Sequence, residues 1–495
     1  MKNIKYIALM AIGLVACEPE LDNSIEDSGT YSSGTADFSK FVTVGNSLTA
    51  GYADGTVYLQ GQKNSYPNIL ASKFSFAGGG TFKQPLVNDN LGGLVAGPVQ
   101  ITDTRLVLSG DPLAPTNIPG TPTTDATDVK TGPFNNVGVP GAKSFHLLSN
   151  TYGEASGILT GTANPYFVRM ASSPSATMIG DAVAQSPTFF SLWIGNNDIL
   201  SFATSGGVGV DQTGNLNPAT YGSNDITDPT LFHGTYDILL NGGNGFTGLT
   251  ENGAKGVVMN LPSVTSIPYF TTVPYNPIPM DAPTAGGANA AYAPYNGGLA
   301  MAAGGSLITA TEMQQRTITF AAGQNPVVIE DESLTDLTAM GLPSIRMATA
   351  NDFIVLPSSS VIGTLAVPGD PTTVIGVGVP LNDSQALTEN EAGMIAAAQA
   401  AYNNSIAMLA AANDDVILVD VKSALEQLAN GGISYNGGMI TDTYATGGGF
   451  SLDGVHPTAR GYAVISNIII DAIEDNFGAN LPKADPGTYP TVYID

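Results

Sequence analysis

Three kinds of residue in this chain stand in patterns that could carry out acyl transfer. Val44-Gly-Asn-Ser47-Leu-Thr-Ala-Gly51 places a serine hydroxyl between glycines. Glycine on either side lets the backbone turn sharply and lets a substrate come close. Phe450-Ser-Leu-Asp453-Gly-Val-His456-Pro457 puts a carboxylate three residues before an imidazole, on a loop that Pro457 stiffens. Such a carboxylate can hold both the tautomer and the ring orientation that a general base needs. The chain has three histidines. His146, in Ser144-Phe-His-Leu-Leu148, reads as a helix-face residue, and His233, between Pro-rich and Gly-rich stretches, as a surface-loop residue. His456 is therefore the candidate base. Asn136-Val-Gly138-Val-Pro-Gly141 and Gly195-Asn-Asn197-Asp198 offer further polar groups. The N–H groups of Ser47 and Gly138 and the side-chain amide of Asn197 are candidate donors to an oxyanion. Each segment taken alone has a plainer reading: a strand-end turn or helix cap at Ser47, a turn at Gly138, a helix N-cap at Asn197.

These groups need a frame that brings distant segments together. Five apolar runs, short and rich in β-branched or aromatic residues, read as strands buried on both faces of a parallel sheet. They are Lys40–Gly45, Phe134–Gly138, Thr188–Ile194, Gly256–Leu261 and Asp415–Asp420. The serine, Gly138 and Asn197 segments follow the first three runs, and ligands of open α/β sheets lie at the carboxyl ends of strands. Helical patterns fall over 66–74, over 388–412 with a Thr388/Glu391 capping box, and over 459–476 with an isoleucine-rich face. Strands separated by helices predict an α/β fold.

Residues 75–132, 200–250 and 263–380 are rich in Gly, Pro, Thr and Asn and lack clear periodicity. They read as insertions into one catalytic domain over 38–480, because candidate site residues lie on both sides of them; a separate domain within 263–380 stays open. Residues 481–495 read as a C-terminal tail. The aromatic, Pro-rich stretch Ser266–Met280, with Ala291–Tyr295, reads as either a lid and acyl-binding surface or a packed surface loop. Trp193 is expected in the core. Asn88-Asp-Asn90 matches no calcium loop, and no metal is assigned to the site.

The net charge of −26, with 16 basic residues and no basic cluster, excludes nucleic acid as a partner. At the N-terminus, Lys2 and Lys5 precede an apolar run over 6–16, the pattern of a signal peptide and too short to span a bilayer. Leu14-Val-Ala-Cys17, ending in the only cysteine, resembles a bacterial lipobox, in which Cys17 would be lipidated and anchor the protein to a membrane. The acidic stretch 17–37 reads as a disordered tether and resembles the surface-export signals of Bacteroidetes lipoproteins. An outer-membrane or cell-surface location is expected.

The four segments around Ser47, Gly138, Asn197 and Asp453–His456 resemble, in order, the four signature blocks of the SGNH (GDSL-type) hydrolases. The resemblance spans roughly 40–475, without the insertions. It implies a flavodoxin-like three-layer α/β/α sandwich and a cofactor-free ester hydrolase. In that enzyme Ser47 is the nucleophile, His456 the base, Asp453 its orienting partner, and Ser47, Gly138 and Asn197 the oxyanion hole. Its substrates would be lipid or other acyl esters. A carbohydrate acetyl-esterase of the same family is the alternative, and a non-catalytic surface lipoprotein that binds glycan or a partner is the reading from outside enzymology. One position departs from the family pattern: Asn46 stands where Asp usually precedes the serine.

Overall fold

The five apolar runs pair into one parallel sheet in the computed structural model, which describes residues 30–494. The strands are β1 (Phe41–Gly45), β2 (Asn136–Gly138), β3 (Phe189–Trp193), β4 (Lys255–Met259) and β5 (Val416–Val419). Their order is β5-β4-β3-β1-β2, and every neighbouring pair is parallel. All residues of β1, β2 and β3 are buried, which is why they read as continuous apolar runs. Gly45 of β1 stands level with Gly138 of β2 and Trp193 of β3. The chain segments that follow these three residues therefore leave the sheet along one edge.

The helices used below are α1 (Ser47–Ala50), α2 (Tyr66–Phe74), α3 (Met178–Val183), α4 (Asn197–Thr204), α5 (Pro229–Asn241), α6 (Ala282–Gly304), α7 (Glu389–Ala411), α8 (Val421–Gly431) and α9 (Ala459–Phe477). Side chains alternate across a strand. Phe41 and Phe189 meet Phe74 of α2, Phe189 also meets Phe477 of α9, and Trp193 meets Tyr66 of α2. That leaves Phe190 and Leu192 to the other face. There α3 packs on β1 and β2 and α7 on β4 and β5, with Phe232 of α5 stacked on Tyr402 of α7 at 4.2 Å. The result is an α/β body with helices on both sides of the sheet.

Two stretches expected to be irregular hold long helices. Asp228 caps α5 through the N–H groups of Thr230 and Leu231, with Pro229 at the first position. His233 thus lies on a helix and not in the loop expected for it. Asp281 caps α6, whose Gly-rich sequence and internal Pro294 hid it. The region beyond residue 272 builds three small cores of its own, around Ile329 and Leu381, Phe320 and Ile345, and Leu299 and Leu342. It is joined to the body through Asp352, whose carboxylate binds Arg346 and accepts from the N–H of Glu389 at the start of α7.

The segments 1–16 and Cys17 lie outside the described residues. Of the stretch 17–37 expected as a tether, residues 17–29 also lie outside the described residues, and the rest is held: Ser32 pairs with Asn480, the Thr35 N–H reaches Phe477 O at 2.8 Å, and Ala36 is buried. The tail is held as well, by a 2.8 Å bond from the Ala484 N–H to Asn467 and by the Leu108 N–H on Tyr493 O. Among the described residues no helix is long and apolar enough to cross a membrane.

Candidate active site

β1 delivers the serine. Gly45 has to be glycine, since a Cβ there would lie 2.2 Å from Thr49 Oγ1 and 2.5 Å from Trp193 O. The next residue, Asn46, is fully buried and caps α1: its Oδ1 accepts from the Leu48 N–H at 3.0 Å. An aspartate would supply the same cap. The asparagine differs in also donating, from Nδ2 to Asn196 Oδ1 at 3.1 Å, so it ties the end of β1 to the segment after β3. Ser47 is the first residue of α1.

The loop before α9 brings the other two groups to it across more than 400 residues of chain. His456 Nε2 stands 2.8 Å from Ser47 Oγ, and His456 Nδ1 stands 2.9 Å from Asp453 Oδ2. Asp453 is held from four further sides. Its Oδ1 accepts from the N–H groups of Val455 and His456 and from Ser451 Oγ, and its Oδ2 from the Gly55 N–H. Burial works to raise this carboxyl, but the facing imidazole and these donors outweigh it and hold the pKa at about 2. The carboxylate stays charged. The Tyr52 ring lies beside the imidazole, with centroids 4.5 Å apart.

Behind this relay sits a second carboxylate that sequence reasoning missed. Asp54, at φ +53, accepts from the Leu452 N–H at 3.0 Å and from Tyr58 Oη at 2.9 Å, and its own N–H donates to Ser451 Oγ. It thereby clips the serine-side loop to the histidine-side loop. Burial, with Asp453 nearby, pushes its pKa up to about 6 against the hydrogen bonds and Arg105. The cue in the sequence was slight: an Asp-Gly pair in a turn.

The expected oxyanion donors divide. Asn197 is the first residue of α4, and one N–H of its amide donates to Ala142 O at 3.0 Å. Among the described residues the second N–H of the same amide has no hydrogen-bond partner. Gly138 does not serve as expected. It is still within β2, and its N–H is taken by Asn136 Oδ1 at 2.9 Å. Its lack of a side chain has a packing cause, because a Cβ would stand 2.4 Å from Ala50 N. The chain then turns over the sheet edge through exposed Gly141 at φ +79. Among the described residues neither the Gly141 N–H nor the Ser47 N–H has a hydrogen-bond partner. Buried Asp198 pins this loop to α4 by accepting from the Ser144 N–H at 2.8 Å and Oγ at 2.7 Å.

The remaining histidines stay apart from this group. His146 stacks on Tyr152, and its Nδ1 accepts from the Lys143 N–H; burial and Lys143 press its pKa down to about 3.

Beside Ser47 and His456 opens an apolar pocket enclosing a cavity of about 100 Å³. Its walls are Val264, Leu425 of α8, Ile433 and Ile440 of the hairpin that follows, and Ile465 and Ile468 of α9. Trp193 fills the core as expected and also forms part of this wall. Only Ile267 comes from the aromatic stretch expected to make a lid or acyl surface. Tyr292 and Tyr295 pack inside the insertion, against Phe320 and Ile345.

In comparisons with known proteins, no family model, no curated protein and no solved structure matches this chain.

Proposed function

We propose that this chain is a serine carboxylic-ester hydrolase of the SGNH type acting on esters of apolar acyl chains. The observation that carries the reading is the continuous relay from Ser47 Oγ through the His456 ring to Asp453, at 2.8 and 2.9 Å. Both distances fall within the reach required of a nucleophile and its base. A binding protein has no need of such an alignment. The succession of serine, asparagine and histidine segments along a parallel sheet covered on both faces supports the SGNH reading and its three-layer sandwich.

Ser47 Oγ attacks the ester carbonyl while His456 Nε2 takes its proton. Asp453 holds the imidazole through Nδ1 and stabilises it once charged. The N–H of Ser47 and the free N–H of the Asn197 amide receive the developing oxyanion. The third donor in this scheme is the Gly141 N–H, since that of Gly138 is engaged. Collapse of the intermediate passes the proton from His456 to the leaving alcohol, and water then enters by the same path to release the acid and restore Ser47.

The pocket favours acyl chains over acetyl groups on a sugar. Its walls are almost wholly apolar, whereas a sugar requires convergent hydrogen-bonding groups. From Gly461 to Ile468 the α9 wall rises about 10 Å. A zigzag chain of about eight carbons has that length. The signal segment and Cys17 support an enzyme exported and held at a membrane by a lipid, meeting ester substrates outside the cytoplasm.

Hydrolysis of p-nitrophenyl esters from acetyl to palmitoyl, by the wild type and Ser47→Ala, tests the reading. Wild-type turnover should peak near octanoyl, and the variant should lose on the order of 10⁴-fold or more in kcat. Two folded proteins equally inactive on every chain length would defeat it.

A further inference from the structure

Three carboxylates converge where the insertion meets the catalytic body, away from the serine. Glu332 follows the short strand Val328–Glu330, Asp383 opens the one-turn helix Asp383–Gln385, and Glu391 lies in the first turn of α7. One ligand oxygen from each lies within 4.8 Å of the others. Acidic clusters at a surface are common, but Glu391 is not at the surface: it is 1% exposed. Its Oε2 is accounted for by the N–H and Oγ1 of Thr388, at 2.7 and 2.8 Å. Its Oε1 is buried and accepts from nothing. A buried carboxylate oxygen with no donor is strongly unfavourable, and the groups that converge on this side chain are two more carboxylates.

None of the ion pairs among the described residues involves these three groups, and Arg346 is taken by Asp331 and Asp352. Burial first, then the neighbouring carboxylates, raises both the Asp383 and Glu391 carboxyls. The turn after α4 leaves Glu391 its space through glycine: a Cβ on Gly207, at φ +94, would fall 1.8 Å from Oε1.

We propose that Glu332, Asp383 and Glu391 bind a calcium ion, independently of what Ser47 does. The donors are three hard, anionic oxygens with no nitrogen or sulfur among them, the set that selects alkaline-earth ions over zinc or copper. The three oxygens all lie within 4.8 Å of one another, near enough to share one ion whose bonds to oxygen are about 2.3–2.6 Å long. Magnesium dehydrates reluctantly and is rarely caged by protein carboxylates alone, so the set suits calcium. Water and backbone carbonyls would complete the shell. Such an ion joins Glu332 and Asp383 of the insertion to the start of α7 and to the turn leaving α4, the helix that begins with Asn197. Its role is to fasten the insertion to the body.

The test uses the mature chain, stripped with EDTA and titrated by calorimetry with calcium chloride or magnesium chloride. Thermal unfolding is followed in parallel. The proposal expects one calcium per chain, with a Kd near 10⁻⁴ M as in extracellular modules. It also expects a rise in Tm on adding calcium that magnesium does not match. Glu391→Gln and, as a second variant should that one fold poorly, Asp383→Asn should each weaken calcium binding at least tenfold. Absence of both binding heat and Tm shift in the wild type would overturn the proposal and leave a cluster that shares a proton. Calcium binding unaffected by either variant would place the ion elsewhere and overturn it equally.

Discussion

Asn46 and Asp54 show how single side chains tie distant segments of the chain to one another. Asn46 keeps the cap that an aspartate would give α1 and adds a bond to Asn196. Asp54 clips the loop after α1 to the loop carrying Asp453, in a setting shared with Tyr58, Arg105 and Asp453. The two carboxyls shift in opposite directions, and stability follows with opposite sign. Asp453, lowered to about 2, adds stability as pH rises from about 2 to 4. Asp54, raised to about 6, keeps its proton in the folded state where the unfolded chain has lost it. Stability therefore falls as pH rises from about 4 to 6, and the loss persists above. Asp54→Asn preserves the acceptor to the Leu452 N–H and tolerates the left-handed backbone. The variant should remove that fall and gain on the order of 2 kcal/mol at pH 7. Thermal unfolding across pH 4–7 checks it: parallel curves for variant and wild type would show that the buried charge is not the cause.

At the scale of elements, the proposed acyl specificity rests on α8, its hairpin and α9, which wall the pocket. Ile469, Ile470 and Ile473 of α9 are buried in the core, while Ile465 and Ile468 turn to the pocket. The helix thus carries an apolar surface wider than a core-facing stripe requires. Ile465→Trp should block the pocket partway along its α9 wall and cut the ratio of octanoyl to acetyl ester kcat/KM at least tenfold. An unchanged ratio would mean that the acyl chain lies elsewhere. The strong elements were legible: all five strands and the helices over 66–74, 388–412 and 459–476 carry their signal in local apolar patterning and caps. Helices α5 and α6 were not, because Gly, Pro and Thr lower their propensity and tertiary packing makes up the difference.

At the scale of the molecule, a body built on one sheet carries an insertion with small cores of its own, and Phe353 and Val355 of that insertion reach into the main core. One fastening is electrostatic. Arg346 is buried between Asp331 and Asp352, at 2.5 and 2.6 Å, and Asp352 also receives the Glu389 N–H of α7. Removing the cation strands two buried carboxylates, which is more damaging than never having had the pair. Arg346→Ala should lower stability by about 3 kcal/mol, read as a shift in the denaturant midpoint. A shift below about 1 kcal/mol would show that water replaces the guanidinium.

The sequence by itself determined the strands, the principal helices and the candidate residues Ser47, Asp453, His456 and Asn197, because each is written in contiguous residues: an apolar run, a cap, a glycine beside a serine, an Asp three places before a His. The tertiary structure alone decided that the Gly138 N–H is engaged by Asn136, that Asp54 stands behind Asp453, and that Glu332 and Asp383 face Glu391. It also decided that the pocket is walled by α8, its hairpin and α9 and not by the aromatic insertion. These are relations between groups far apart in the chain. Their distances depend on how helices and loops pack over a shared sheet, and no local pattern of residue types encodes that.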